Sequence, residues 1–136
     1  MVTLAAAKEL NCRYCLLAHG SILIRNGFSV DQLRAMLINF HEAGLESKEV
    51  AIMEYAQKII RNANEITRGD INLLRTVGFE DVEILDITLT ATMRSFASKT
   101  FDALGATADE FYQELEQKLA DLLPGQPSPS GQLQSS

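Results

Sequence analysis

The feature that most constrains this chain is its punctuation. Gly27, Gly44, Gly78 and Gly105 each close a stretch whose apolar residues recur at helical spacing. A glycine in that place ends a helix, because it enters the left-handed C-cap conformation without a Cβ penalty. Helix starts are equally legible. Ser29 with Gln32, and Thr107 with Glu110, have capping-box spacing, in which two side chains satisfy free backbone N–H groups. Ser47 opens another stretch, with Glu49 in its first turn to suit the helix dipole. No strand pattern bounded by hairpin turns appears. The expected fold is therefore all-α, with six or seven helices near residues 1–10, 12–26, 30–41, 47–64, 68–77, 80–104 and 107–122. The first two either run on as one helix or bend near Asn11.

The apolar positions predict how these helices pack. Ile52, Met53, Ala56, Ile59, Ile60 and Ala63 share one face of the helix at 47–64. In the longest stretch, Val82, Leu85, Leu89, Met93, Phe96 and Phe101 are expected to line the buried side. The threonines at 88, 90, 92 and 100 favour strand and make this the weakest helix assignment. Val2, Leu4, Ala5, Ala6 and Ala7 predict burial, either within the fold or in a partner subunit. The segment from Leu23 to Phe28 resembles the one from Leu74 to Phe79, each ending a helix at Gly-Phe. That likeness reads as a weak internal repeat or as an ordinary Schellman ending.

The chain's 136 residues suit one domain, placed at residues 1–123. From Pro124 to residue 136, proline, glycine, serine and glutamine replace core formers, and that tail is expected to be disordered. A net charge of -6 argues against nucleic acid and against an anionic membrane surface. No apolar run approaches the roughly 18 residues of a membrane-spanning helix. The segment Met1 to Ala7 lacks the basic start and long apolar run of a secretory signal. The expected location is the cytoplasm.

The only two cysteines, Cys12 and Cys15, are separated by two residues, and His19 follows one helical turn after Cys15. A close pair in a cytosolic chain points to redox or metal chemistry. On a helix, Cys12, Cys15 and His19 form one stripe. A thiol of ordinary pKa is only about a few per cent thiolate near neutrality, and an adjacent imidazole can take its proton. Once one sulfur is oxidised to a sulfenic acid, the other can condense with it, and a dithiol can reset the pair. Cys12 lies nearer the helix start, where free amides favour a thiolate, so the residues alone leave the two roles open. Two blander alternatives exist. The pair and His19 can be core residues, or they can bind zinc with His41 or a carboxylate as fourth ligand. No second Cys-x-x-Cys supports the zinc site, and neither metal nor cofactor is expected. His41 reads as a helix-end residue, Arg94 and Lys99 as surface or interface charges, and Phe96, Phe101 and Phe111 as core or subunit contacts.

Residues 9–20, Glu-Leu-Asn-Cys-Arg-Tyr-Cys-Leu-Leu-Ala-His-Gly, resemble the signature of the AhpD-like superfamily. The similarity is to the peroxidase-related branch within the carboxymuconolactone decarboxylase superfamily. The downstream rhythm matches as well, with turns at Gly27-Phe28 and Gly78-Phe79 and a long helix ending at Leu104-Gly105, so the resemblance spans residues 1–122. It implies a helical domain that assembles into dimers, trimers or hexamers. It also implies reduction of a hydroperoxide without metal or flavin, with electrons from a dithiol such as a lipoyl group or a thioredoxin-like protein. By the resemblance, Cys15 attacks the peroxide, Cys12 resolves and His19 serves the proton relay. The lactone decarboxylases lack the cysteine pair, which sets that activity aside. Two departures stand out. Tyr14 occupies a place where the best-studied branch has histidine, and it is a poor base near neutrality. The relay glutamate of that branch would fall one place before Met1, so either the relay lacks its carboxylate or the chain starts late; Glu9, three residues before Cys12, is the candidate substitute. The alternatives to a hydroperoxidase are a thiol–disulfide exchange or redox-sensing protein, and an inactive oligomeric relative.

Overall fold

A short alanine-rich helix occupies the middle of the protein. In the computed structural model, which describes residues 1–125, this is α1 (Val2–Glu9), with Leu4, Ala5, Ala6 and Ala7 buried. Alanine is the best helix former and adds little bulk, so α4 (Ser47–Asn62) and α6 (Asp81–Ala103) both pack closely against α1. The apolar start of the chain is thus buried within its own fold. The remaining helices are α2 (Arg13–Arg25), α3 (Val30–Asn39), α5 (Arg68–Thr76) and α7 (Gln113–Lys118). Short 3₁₀ turns lie at Phe40–Glu42, Ala63–Glu65 and Glu110–Tyr112. The described residues contain no strand, so the fold is all-α, and no helix among them is long and apolar enough to cross a membrane.

The predicted stops and starts are seen at atomic level. Gly27 has φ 100° and Gly78 has φ 98°. At the first, Phe28 N–H donates to the Leu23 carbonyl at 3.2 Å and Gly27 N–H to Ile24 at 3.1 Å. At the second, Phe79 donates to Leu74 at 3.1 Å and Gly78 to Arg75 at 3.0 Å. These are twin Schellman endings. The same pair of bonds closes α6, where Ala106 donates to Phe101 and Gly105 to Asp102. Helix-ending chemistry alone therefore accounts for the Gly-Phe likeness. The Ser29–Gln32 box forms with bonds of 3.0 and 3.1 Å. At α4 the cap lies one residue earlier than expected: Glu46 is the N-cap, and its N–H donates to Glu49.

Two expectations are corrected. The stretch predicted as one helix at 107–122 is a 3₁₀ turn followed by the six-residue α7. Thr107 caps neither. Tertiary contacts direct this segment: Tyr112 sits edge-on to Tyr14 at 6.2 Å, and Arg25 lies over the Phe111 ring at 5.1 Å. The buried side of α6 is also the opposite of the one expected. Ile84, Ile87, Ala91 and Ser98 face the core, while Val82, Leu85, Leu89, Met93 and Phe96 are exposed. Phe101 is on the exposed margin and packs edge-on against Tyr14 at 5.5 Å. Helical spacing fits both rows, and the small Ala91 and Ser98 make the true core row the less apolar one. The Pro124 carbonyl accepts from Arg13 Nη1 at 2.6 Å. Residues 126–136 of the expected tail lie outside the described residues.

Leu17, fully buried in α2, tests the packing. Leu17→Ala should lower the unfolding free energy by about 2–5 kcal/mol in urea titrations, as for other cavity-forming truncations.

Candidate thiol site

The site begins with a bend. Asn11 is the one non-glycine residue among those described with positive φ, at 53°. Asparagine tolerates this conformation better than most residues. The turn separates α1 from α2 and leaves Cys12 as the N-cap of α2. A sulfur here takes the place of the usual serine or aspartate oxygen: Cys12 Sγ accepts from Cys15 N–H at 3.4 Å. Cys12 S–H in turn donates to Cys15 Sγ, with the sulfurs 2.6 Å apart and both residues buried. Only a small movement separates this arrangement from a disulfide bond of about 2.05 Å. Both thiols are free.

Helix α6 runs past α2 in the opposite sense and presents two residues one turn apart. Ser98 Oγ lies 3.2 Å from Cys15 Sγ, and Arg94 Nη1 lies 3.0 Å from His19 Nε2. Arginine is always a donor, so Nε2 accepts and the imidazole proton sits on Nδ1. The sequence stripe of Cys12, Cys15 and His19 is thus met by a second stripe that sequence reading assigned to surface or interface charge (Arg94) or did not single out (Ser98). The signal for both lay only in their spacing of four, which matches that of Cys15 and His19.

This arrangement divides the two thiols. Cys15 is lowered to about 7, chiefly by the hydrogen bond from Cys12, then by Ser98 and the Arg94 charge; burial and the Asp102 carboxylate oppose this. Cys12 is pushed up, chiefly because it donates that same bond, and next by burial. The helix-start amide works the other way on Cys12, but its 3.4 Å contact is longer than the 2.6 Å contact between the sulfurs. His19 is lowered to about 4 by burial and then by Arg94. It is a neutral imidazole near neutrality, and the cation that favours the thiolate is Arg94.

The other candidates lie elsewhere. Glu9 belongs to α1, beyond the bend, and accepts from Arg61 Nε at 2.6 Å. The stripe that would have joined it to Cys12 requires an unbroken helix, which Asn11 interrupts. Tyr14 is half-buried between Phe101 and Tyr112 and borders a depression of about 220 Å³ with Asn11, Arg13, Asp102 and Glu116. His41 lies 3.4 Å from Glu54. No group of three His, Cys, Asp or Glu side chains among the described residues is placed to hold a metal ion. Arg13, between the cysteines, binds Glu116 Oε1 through Nε and Nη2 at 2.9 and 2.8 Å.

The all-α arrangement of these helices is shared with proteins of known structure. The chain is similar to a solved peroxidase-related protein from Silicibacter sp. TM1040, with a TM-score of 0.77 and 23% identity over 82% of this chain. It is similar also to an alkylhydroperoxidase AhpD core protein, likewise peroxidase-related, from Ralstonia eutropha JMP134, with a TM-score of 0.77 and 21% identity over 91% of this chain. Both of those proteins are described as uncharacterized. The alignments cover 58% and 63% of their lengths. No protein-family model and no curated protein sequence matches the chain.

Two titrations follow. Alkylation of Cys15 by iodoacetamide should rise with a midpoint near pH 7, the level to which its thiol is lowered. Arg94→Met and Ser98→Ala should each move that midpoint upward, and midpoints unchanged in both would refute the arrangement. His19 titrates near 4 in the fold against 6.5 when free. Between those values the unfolded chain binds more protons, so stability should fall as pH drops from 6.5 toward 4. His19→Gln should flatten that part of the stability curve, read by urea unfolding across the window.

Proposed function

We propose that the protein is a thiol-dependent hydroperoxide reductase. The observation that carries this reading is the directional bond from Cys12 S–H to Cys15 Sγ, which leaves one sulfur poised as thiolate and the other as thiol. The Cys15 thiolate attacks the terminal oxygen of a hydroperoxide. The O–O bond breaks, Cys15 becomes a sulfenic acid, and the departing alkoxide takes a proton to leave as an alcohol. The Cys12 thiol then attacks the sulfenic sulfur, forming the Cys12–Cys15 disulfide and releasing water. A small dithiol or a dithiol protein reduces this bond by exchange and is itself oxidised to a disulfide. Arg94 offsets the negative charge of the Cys15 thiolate. His19, held through Nε2, keeps a donor at Nδ1. Glu9 and Tyr14 take no part in these steps, and no metal or cofactor enters them. The site faces the cytoplasmic thiol pool in this reading.

Stopped-flow oxidation with cumene hydroperoxide, with dihydrolipoamide as reductant, tests the assignment. The wild type should turn over and pass through a Cys12–Cys15 disulfide. Cys12→Ser should stop after one oxidation and yield a dimedone adduct on Cys15. Cys15→Ser should lose at least about a hundredfold in the oxidation rate, the scale expected when an activated nucleophile is removed. Rapid exchange with the dithiol but no reaction with peroxide would instead make the protein an exchange factor. Ordinary thiol reactivity in every variant would make it an inactive relative.

A further inference from the structure

The buried polar residues among those described are Gln57 and Ser98. Ser98 is bonded to Cys15. Gln57, in α4, is only 8% exposed, and its carboxamide makes no hydrogen bond among the described residues. An amide taken out of water without a partner costs free energy. No fully enclosed side-chain nitrogen or oxygen among the described residues lacks a partner, so the Gln57 amide is not sealed in. It opens onto the two depressions it lines, of about 480 and 640 Å³. These share Phe40, His41, Gln57 and Arg61 and form one groove.

The surroundings of the amide define what it can hold. Steps of three and four place Glu54, Gln57 and Arg61 in one row along α4. At one end of the row, His41 Nε2 lies 3.4 Å from Glu54 Oε1. Phe40, itself buried, stacks on one face of the His41 ring with centroids 4.4 Å apart. His41 is exposed and lines both depressions, so its other face is open to the groove. The cations of the groove are already engaged: Arg61 with Glu9, Lys58 with Asp70, and Lys8 with the Ile38 carbonyl. Glu65, also in the lining, makes no hydrogen bond among the described residues. The groove therefore offers a donor beside an acceptor, a flat ring and a free carboxylate, and it has no cation to spare for a phosphate.

We propose that this groove binds an uncharged purine nucleoside of the adenosine type, with the base edge paired to Gln57 and the base plane against His41. Glutamine pairs in this way with N6 and N7 of adenine, and histidine is among the rings on which bases stack. A single trans peptide group points its N–H and C=O in opposite directions, whereas a base edge carries donor and acceptor side by side. The Glu65 carboxylate is an acceptor for ribose hydroxyls. Neither cysteine nor His19 lines the groove, so this site stands apart from the thiol chemistry and from its test.

Calorimetric titration of the full chain with adenosine tests the site. Adenosine should bind once per chain with a Kd of about 1 mM or below. Purine riboside keeps the ring system and the sugar but lacks the amino donor. It should bind at least about tenfold more weakly, the scale of a lost bidentate contact. Gln57→Leu should weaken adenosine to the same degree. His41→Ala, at an exposed position, should weaken it at least about fivefold, the scale of one stacked base. Should Gln57→Leu fail to fold, the purine riboside comparison on the wild type still decides, because it needs no substitution. No saturable binding of adenosine, equal binding of purine riboside, or affinity unchanged by both substitutions would each overturn the proposal. So would tighter binding of AMP than of adenosine, which would show a phosphate being recognised.

Discussion

The packing of α1 between α4 and α6 is the constraint on which the rest of the structure depends. Its alanines allow close approach on both sides at once. That approach sets the position of α6, and α6 in turn supplies Ser98 and Arg94 to the thiols and imidazole of α2. A bulkier side chain at Ala5, Ala6 or Ala7 would push α6 outward and lengthen both contacts. The chemistry of residues 12–19 thus rests on residues 5–7, which carry no chemistry of their own.

The electrostatics of the site follow from a division of labour between two helices. α2 holds the two sulfurs and a neutral imidazole, and α6 holds the hydroxyl and the cation. Because the charge comes from a guanidinium, it is present at every physiological pH. A histidine serving the same purpose would lose it near neutrality. The local environment of Cys15 therefore varies with pH through its own ionisation and little else.

Elements were more legible in the sequence than faces, and local chemistry more than partners. Gly27 and Gly78, the Ser29–Gln32 box and the bend at Asn11 depend on neighbours a few residues away, and each appears in the structure where short-range rules place it or offer it as one of two choices. The buried side of α6 depends on which helices pack on it. Its core row contains Ala91 and Ser98, so an apolar pattern points to the wrong side. Arg94 and Ser98 lie about 75 to 83 residues from the groups they touch, and nothing in their own surroundings marks them. Glu9 shows the converse: counting along an assumed continuous helix placed it at the site, and a single left-handed residue removed it.

The Arg13 contacts have a kinetic consequence. Arg13 lies between the two cysteines yet bonds to Glu116 and Pro124, spanning 103 and 111 positions of the chain. Closing a longer loop costs more chain entropy before any contact compensates it, and long-range contacts slow folding. During folding, then, the turn at Asn11 and the start of α2 can form from local contacts well before the C-terminal segment arrives. Over that interval the two thiols are already neighbours but not yet enclosed. The nascent chain would meet oxidants with its dithiol in place before the surrounding protein can control access to it.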